Sequence, residues 1–417
     1  MDTSSAPAGR PPRFAALRYP NFAILWSGLI VSTAGSQMQQ VAKSWLILQQ
    51  TDRPLALAAL GLCYTVPTLA LSATVTGLVA DRFDRIALLK FVQVWGTVQP
   101  LFLALLLATG HLPLWLLFAD TVATAALNAF NAPAQQALLP ALVPSAALLS
   151  ATALQSAVWT SAQLLGPALG GVLLAASGAA WVFALNGLST LAVLVALTRL
   201  RGVSGTAIAA PAHSATAAGG LRYAWADPAL RGLLFLIGGL AALTGCYQLL
   251  LPLFARDIWR GGPEAYGLLL AAPGVGAVLV TTMLAAWGLP RRPATSCAAA
   301  ALLLGGALLG FAHAPSLPLG LGLLVLVGVA SAVCGTILVT LLQLLTPDHL
   351  RGRIMAVRYS ASAGMSYVGG LLAGGAAGLI SPVTVVTGGA IAFALGLTLL
   401  YRPLRIVERR VVGKPSA

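Results

Sequence analysis

Of the 417 residues, 58% are hydrophobic and only 8% charged, with a mean hydropathy of +0.89. A soluble domain carries about a quarter charged residues and a spanning helix takes about 20 apolar ones, so this composition excludes a water-soluble fold and predicts an all-α polytopic membrane protein. The net charge of +14 reads as basic loops that orient the chain in a bilayer, not as a nucleic-acid surface.

Residues 1–20 are polar and basic and show no small-residue cleavage site after a short apolar core, so they read as an N-terminal tail before a retained helix. Apolar runs then follow at 21–49, 54–80, 86–108, 112–134, 145–175 and 178–198, spans 1 to 6. They resume at 229–255, 264–287, 294–313, 316–345, 354–379 and 382–401, spans 7 to 12. The expected organisation is two pseudo-symmetric six-helix bundles, 21–198 and 229–401, followed by a tail at 402–417. Between the bundles, 199–228 has the Ala/Gly/Ser/Thr/Pro composition of a flexible linker. Its end, G-L-R-Y-A-W-A-D-P, suits a short amphipathic helix at the membrane surface.

An even number of spans puts both termini on one side. With that side cytoplasmic, the inner segments collect every Lys and Arg except Lys43, Arg53, Arg256 and Arg260. The positive-inside bias therefore predicts an inner-membrane protein with both ends in the cytoplasm. Cys63, Cys246, Cys297 and Cys334 fall inside apolar runs without C-x-x-C spacing and read as small buried hydrophobes. None of the four histidines lies at membrane depth. No phosphate-binding loop, catalytic constellation or metal-ligand set stands out, so neither enzyme activity nor a cofactor is expected.

The two halves repeat each other weakly: G-P-A-L-G-G at 166–171 in span 5 matches G-L-L-A-G-G at 370–375 in span 11. Half-chain repeats mark secondary transporters, which bind solute between the repeats. In span 5, Gly166, Gly170 and Gly171 permit close helix approach, and Pro167 weakens the hydrogen-bond ladder. Tight static packing would explain the same residues.

Polar side chains inside a membrane are costly and face a cavity or a partner helix. Ser32, Ser36, Gln40 and Lys43 fall on one face of span 1, and Asp120, Thr124, Asn128 and Asn131 on one face of span 4. Span 7 offers Thr244, Tyr247 and Gln248, and span 10 offers Thr336, Thr340 and Gln343, whereas spans 6, 9 and 12 look nearly bare. Together these stripes suggest a solute pathway, although each alone fits helix packing equally well. Lys43 and Asp120 are the two charges set well inside apolar runs, at matching depth. They fit an ion pair that binds solute or exchanges a proton; the alternatives are a static pair or a Lys43 that snorkels to the interface.

One short loop stands apart. G-L-V-A-D-R-F-D-R at 77–85 packs an acid and two arginines between spans 2 and 3. Gly77 permits close helix contact. Asp81 suits a cytoplasmic latch that engages the N-terminus of a helix from the other half and a charge partner such as Arg85. Span 11, preceded by Arg351 and Arg353, is the expected partner. Arg82 and Arg85 read equally well as positive-inside anchors.

On these motifs residues 15–405 resemble the major facilitator superfamily. The 77–85 loop is similar to that family's G-x-x-x-D-[RK]-x-G-[RK] motif, with Asp84 where Gly is usual, and G-P-A-L-G-G is similar to the span 5 motif of its antiporters. N-A-P-A-Q-Q-A-L-L-P-A-L-V-P at 131–144 and L-R-G-R at 350–353 resemble a branch of macrolide-efflux-like and enterobactin-exporter-like proteins. The resemblance implies alternating access by rocking of the two halves, with export of a small amphipathic or apolar compound driven by an ion gradient. The implied partners are that solute, membrane lipid and a coupling ion, the proton, with the chain acting as a monomer. Span 4 lacks the arginine carried by many proton-coupled relatives. Movement of a lipid or lysolipid between leaflets is the competing transport reading, and a non-transporting membrane sensor the other.

Overall fold

The computed structural model describes residues 15–78, 85–200, 217–287, 290, 292–347 and 350–412. After a 3-10 turn at Ala15–Arg18 come α1 (Pro20–Thr51), α2 (Pro54–Leu78), α3 (Arg85–Ala108), α4 (Leu114–Leu142), α5 (Ser145–Ser177) and α6 (Ala179–Thr198). Then follow α7 (Ala217–Ala226), α8 (Pro228–Leu253), a π-helical turn (Phe254–Ile258), α9 (Pro263–Trp287), α10 (Pro293–Ala312), α11 (Leu317–Leu345), α12 (Arg351–Ala377), α13 (Pro382–Leu399) and α14 (Tyr401–Val412). Spans 1 to 6 are α1 to α6, and spans 7 to 12 are α8 to α13; α7 and α14 are short additions.

Helix starts follow local chemistry. Proline opens α2, α8, α9, α10 and α13, where its missing N–H costs nothing. Asp227 caps α8 by accepting the Ala229 N–H at 2.9 Å, and Ser381 caps α13 by accepting from Thr384 at 3.2 Å. Two boundaries differ from expectation. α4 continues past 134 to Leu142, through Pro133 and Pro140, so most of the 131–144 motif is helix. Within that stretch the Gln135 side-chain amide donates to Asn131 at 3.0 Å. The chain after 401 is helical as α14, because Leu404 and Val407 find buried sites.

Eight helices, α3, α5, α6, α8, α9, α10, α11 and α13, are long and apolar enough to span a membrane among the described residues. α1 and α4, which fall short of that mark, hold the polar stripes of Lys43 and Asp120.

The chain divides into two compact units. The first holds residues up to Gln39, Val66–Gly166 and Ser177 onward into the linker. Its core joins Phe22 and Leu25 to Leu89, Leu138, Val193 and Leu197. α1 crosses α6 so closely that a Cβ at Gly35 would meet Asn186 Oδ1 at 2.9 Å. There Asn186 donates its amide hydrogen to Gln39, while the Ser189 and Thr190 hydroxyls donate to the Asn186 carbonyl at 2.7 and 3.0 Å. Span 6, expected to be nearly bare, thus buries three polar residues. They sit close together on one face, so no long stripe appears in the sequence.

The second unit holds Gln40–Thr65, Pro167–Ala176 and everything after the linker. Its core runs through Leu230, Leu233, Leu236, Cys297, Ile337 and Leu341. α8 and α12 pack backbone to backbone: a Cβ at Gly245 would strike the Ser366 carbonyl, and one at Gly369 the Ala242 carbonyl. Such contact is how membrane helices associate without a hydrophobic driving force. All four cysteines are free; Cys63 is half-buried and the others buried.

Candidate functional site

The second unit contains a clasp between two turns far apart in sequence. α1 ends at Thr51, and the chain reverses through Asp52, whose φ of 52° is left-handed, a conformation Asp tolerates better than most residues. α8 ends in the π-helical turn, a feature found often at functional sites. Arg256 on that turn reaches Asp52 at 2.6 Å and donates to the Leu48 carbonyl at 3.3 Å. Asp257 orients the guanidinium from behind through paired contacts of 2.6 and 3.2 Å, a fork geometry that fixes direction as well as charge. Beside the clasp, Trp45 of α1 stacks on Tyr266 of α9, with ring centroids 6.1 Å apart, and Ser44 hydrogen-bonds Tyr266. Trp259 donates its indole hydrogen to the Ala314 carbonyl at 3.1 Å and, with Phe254 and Phe311, forms an aromatic cluster that stiffens the turn.

The two G-x-x-x-G-G repeats meet helix starts in the same unit. A Cβ at Gly171 would lie 2.5 Å from the Pro263 carbonyl oxygen and 2.9 Å from Gly267 Cα. A Cβ at Gly374 would lie 2.6 Å from Ala58 Cβ and 3.2 Å from the Pro54 carbonyl oxygen. Pro54 with Ala58 and Pro263 with Gly267 share one spacing at the starts of α2 and α9. This second repeat passed unnoticed in the sequence because a proline followed by a small residue is common. In the first unit, Gly166 abuts α1, where a Cβ would meet Gln37 Cβ at 2.5 Å and the Ala34 carbonyl oxygen at 3.2 Å. Pro167 and Gly170 are both buried.

The expected pathway residues occupy varied settings. Lys43 in the second unit and Asp120 in the first are each only 5% exposed. Ser32 lies 3.4 Å from Thr190 of α6, whereas Ser36 and Gln40 are exposed, and the Ser36 hydroxyl bonds its own helix at the Ser32 carbonyl. Asn128 is half-buried, Tyr247 buried and Gln248 exposed. Thr336 and Thr340 are half-buried, and Thr340 donates to the Thr336 carbonyl at 2.9 Å.

Arg351 donates to the Gln343 carbonyl at 3.1 Å, placing its charge at the C-terminal end of α11, where the helix dipole favours a cation. Arg353 is half-buried. Gly77 falls in the last turns of α2 and Arg85 opens α3; Asp81 and Arg82 lie outside the described residues.

Three features escaped the sequence reading: the Arg256–Asp52 clasp, the Gln39–Asn186 bond and Arg358. Arg358 was grouped with the inner basic residues, yet it lies about 10 Å into α12 at 1.5 Å per residue. Its Nε is buried with no hydrogen-bond partner among the described residues. Its place inside the apolar run at 354–379 is the signal that the sequence offers. Among the described residues no group of three or more His, Cys, Asp or Glu could hold a metal.

Long apolar helices that cross closely through glycines define a polytopic α-helical membrane protein of the major facilitator fold. Residues 12–411 match the family described as transmembrane secretion effector, and the chain belongs to that family of the major facilitator superfamily. It is 28% identical to the multidrug efflux pump Tap of Mycolicibacterium fortuitum, covering 95% of this chain and 99% of the pump. It is 27% identical to the enterobactin exporter EntS of Shigella boydii serotype 4 (strain Sb227), covering 96% of this chain and 93% of the exporter. Two solved structures share the fold. One is a bacterial homologue of the iron transporter ferroportin in an inward-facing state, with TM-score 0.65 and 18% identity over 91% of this chain and 98% of that one. The other is a bacterial homologue of the lysosomal transporter Spinster, inward-facing and unoccupied, with TM-score 0.67 and 16% identity over 95% of this chain and 99% of that one.

Proposed function

We propose that the chain is an inner-membrane exporter with both termini cytoplasmic, moving a small amphipathic or apolar compound outward by alternating access. An ion gradient drives it, the proton is the coupling ion, and the chain works as a monomer.

The Arg256–Asp52 clasp carries the reading. On the positive-inside orientation, the α1–α2 turn and the turn before α9 face outward, so the clasp is an outer gate in its closed state. The crossings at Gly171 and Gly374 seal the same side, and small residues there let whole helices part and re-form contact. The opposite, cytoplasmic gate falls to the 77–85 loop with Gly77, Asp81, Arg82 and Arg85, and to the basic residues Arg351 and Arg353 at the start of α12. The inward-facing state of the two structural neighbours favours the same assignment, and the efflux activity of Tap and EntS favours export.

Lys43 and Asp120 are the buried charges suited to solute binding or proton exchange, and Gln40, Asn128 and Gln248 supply neutral donors and acceptors. So mildly polar a set suits an amphipathic solute better than a sugar or a phosphate. Everted vesicles energised to hold a proton gradient test this directly. Addition of a transported drug should dissipate the gradient, reported by a pH-sensitive dye. Headgroup-dependent lipid movement with no response to any drug would instead favour the lipid reading and overturn this one.

A further inference from the structure

α14 is a two-faced helix, buried on one side and exposed on the other. Leu404 and Val407 are buried in the core of the second unit, and Pro403 packs against Gly232 of α8. Two polar contacts hold it in register. Arg410 pairs with Asp227 at 2.7 Å, just before α8, and the Glu408 carboxylate accepts the Thr295 N–H at 3.1 Å in the first turn of α10. The helix therefore lies against the starts of two apolar helices long enough to span a membrane.

Its opposite face holds Arg402, Arg405 and Arg409, spaced three and four apart so that they form one stripe. All three are exposed, and among the described residues no carboxylate pairs with them. Arg405 stacks over the Tyr401 ring at 4.6 Å, which holds its charge outward. Exposed apolar side chains flank the stripe along the chain: Leu395 and Leu399 at the end of α13, which leads directly into α14, and Ile406 on α14 itself. Nearby, α7 also packs on α8 and exposes Trp225, an interfacial residue type.

We infer that the α14 arginine stripe is a binding surface for anionic phospholipid headgroups, with the neighbouring apolar side chains meeting the acyl chains. Charge complementarity selects this occupant. Three exposed guanidinium groups that pair with no carboxylate among the described residues, on a helix that follows exposed leucines, match a surface that is anionic at one level and apolar just below it, and guanidinium suits bidentate contact with phosphate. A nucleic acid would complement the arginines but leave the leucines in water.

The test uses the full-length chain reconstituted with equal parts of phosphatidylcholine and phosphatidylglycerol, released and weighed with its bound lipids by native mass spectrometry. The wild-type chain should retain phosphatidylglycerol preferentially. Arg402→Gln, Arg405→Gln and Arg409→Gln together should weaken that preference, by roughly fivefold for each arginine at low ionic strength. The corresponding lysine substitutions should largely keep it. Should the glutamine variant fail to fold, the wild-type chain still decides the matter, since its preference should fall as salt is raised. Equal retention of the two lipids by the wild type, a preference indifferent to salt, or a folded glutamine variant that matches the wild type would each overturn the inference. None of these outcomes depends on the direction or substrate of transport.

Discussion

Arg256, on the π-helical turn that ends α8, lies 2.6 Å from Asp52 in the turn between α1 and α2, and the same guanidinium donates to the Leu48 carbonyl. The Asp52 side chain is 78% exposed and that of Arg256 27%. A pair so open to solvent is worth about 1 kcal/mol or less, an energy suited to the reversible outer gate proposed for it. Arg256→Gln and Asp52→Asn should each shift the balance of states by up to about fivefold toward opening on that side. A cysteine introduced at Ser44, with Cys63 replaced, should then react faster with a membrane-impermeant maleimide. Unchanged rates in both variants would remove the clasp from the transport cycle.

Gly171 and Gly267 sit where two backbones touch, so an added methyl group meets atoms that cannot rotate away. Gly171→Ala should cost about 1–3 kcal/mol, the usual penalty for overpacking, lowering the thermal midpoint and slowing transport. Gly306→Ala is the control, since a Cβ there meets nothing within 4 Å. Equal behaviour of the two variants would contradict the close crossing.

The Asn186–Gln39 bond joins α6 to α1 in the first unit. Interhelical bonds of this kind average about 0.6 kcal/mol in membranes, but an orphaned buried amide costs about 1–3 kcal/mol. Asn186→Leu should therefore destabilise the chain more than the double substitution Asn186→Leu with Gln39→Leu. Thermal unfolding in detergent would order the two variants, and the reverse order would refute the pairing.

Asp120 is the acid assigned to proton exchange. Asp120→Asn should abolish drug-dependent dissipation of the proton gradient while leaving drug binding within about a factor of ten, since only a neutral amide replaces the carboxylate. Dye quenching in vesicles and equilibrium binding on the same preparation separate the two effects. Full proton movement in the variant would exclude Asp120 from coupling.

What could be read in the chain was whatever is encoded within one helix. Apolar run length set the spans, and prolines and capping residues set many of their starts, because hydrogen bonding inside a bilayer must be satisfied segment by segment. Thus α8 to α11 begin within a residue of where their apolar runs begin. The positive-inside bias and the repeated glycine motifs were likewise local enough to see. Azimuth was not. Helices that are apolar nearly all round give no periodic cue to which face meets a neighbour, so the burial of Asn186 on α6 is not legible in the sequence.

The sequence by itself determined an all-α polytopic membrane transporter, since backbone polar groups in lipid must be satisfied within each segment, which long apolar helices of about 20 residues achieve. Only the tertiary structure decided that Arg256 closes on Asp52, that Gly171 meets Gly267, and that α14 turns three arginines outward. Each of these depends on where separate helices cross, and crossing is set by side-chain packing between segments distant in the chain.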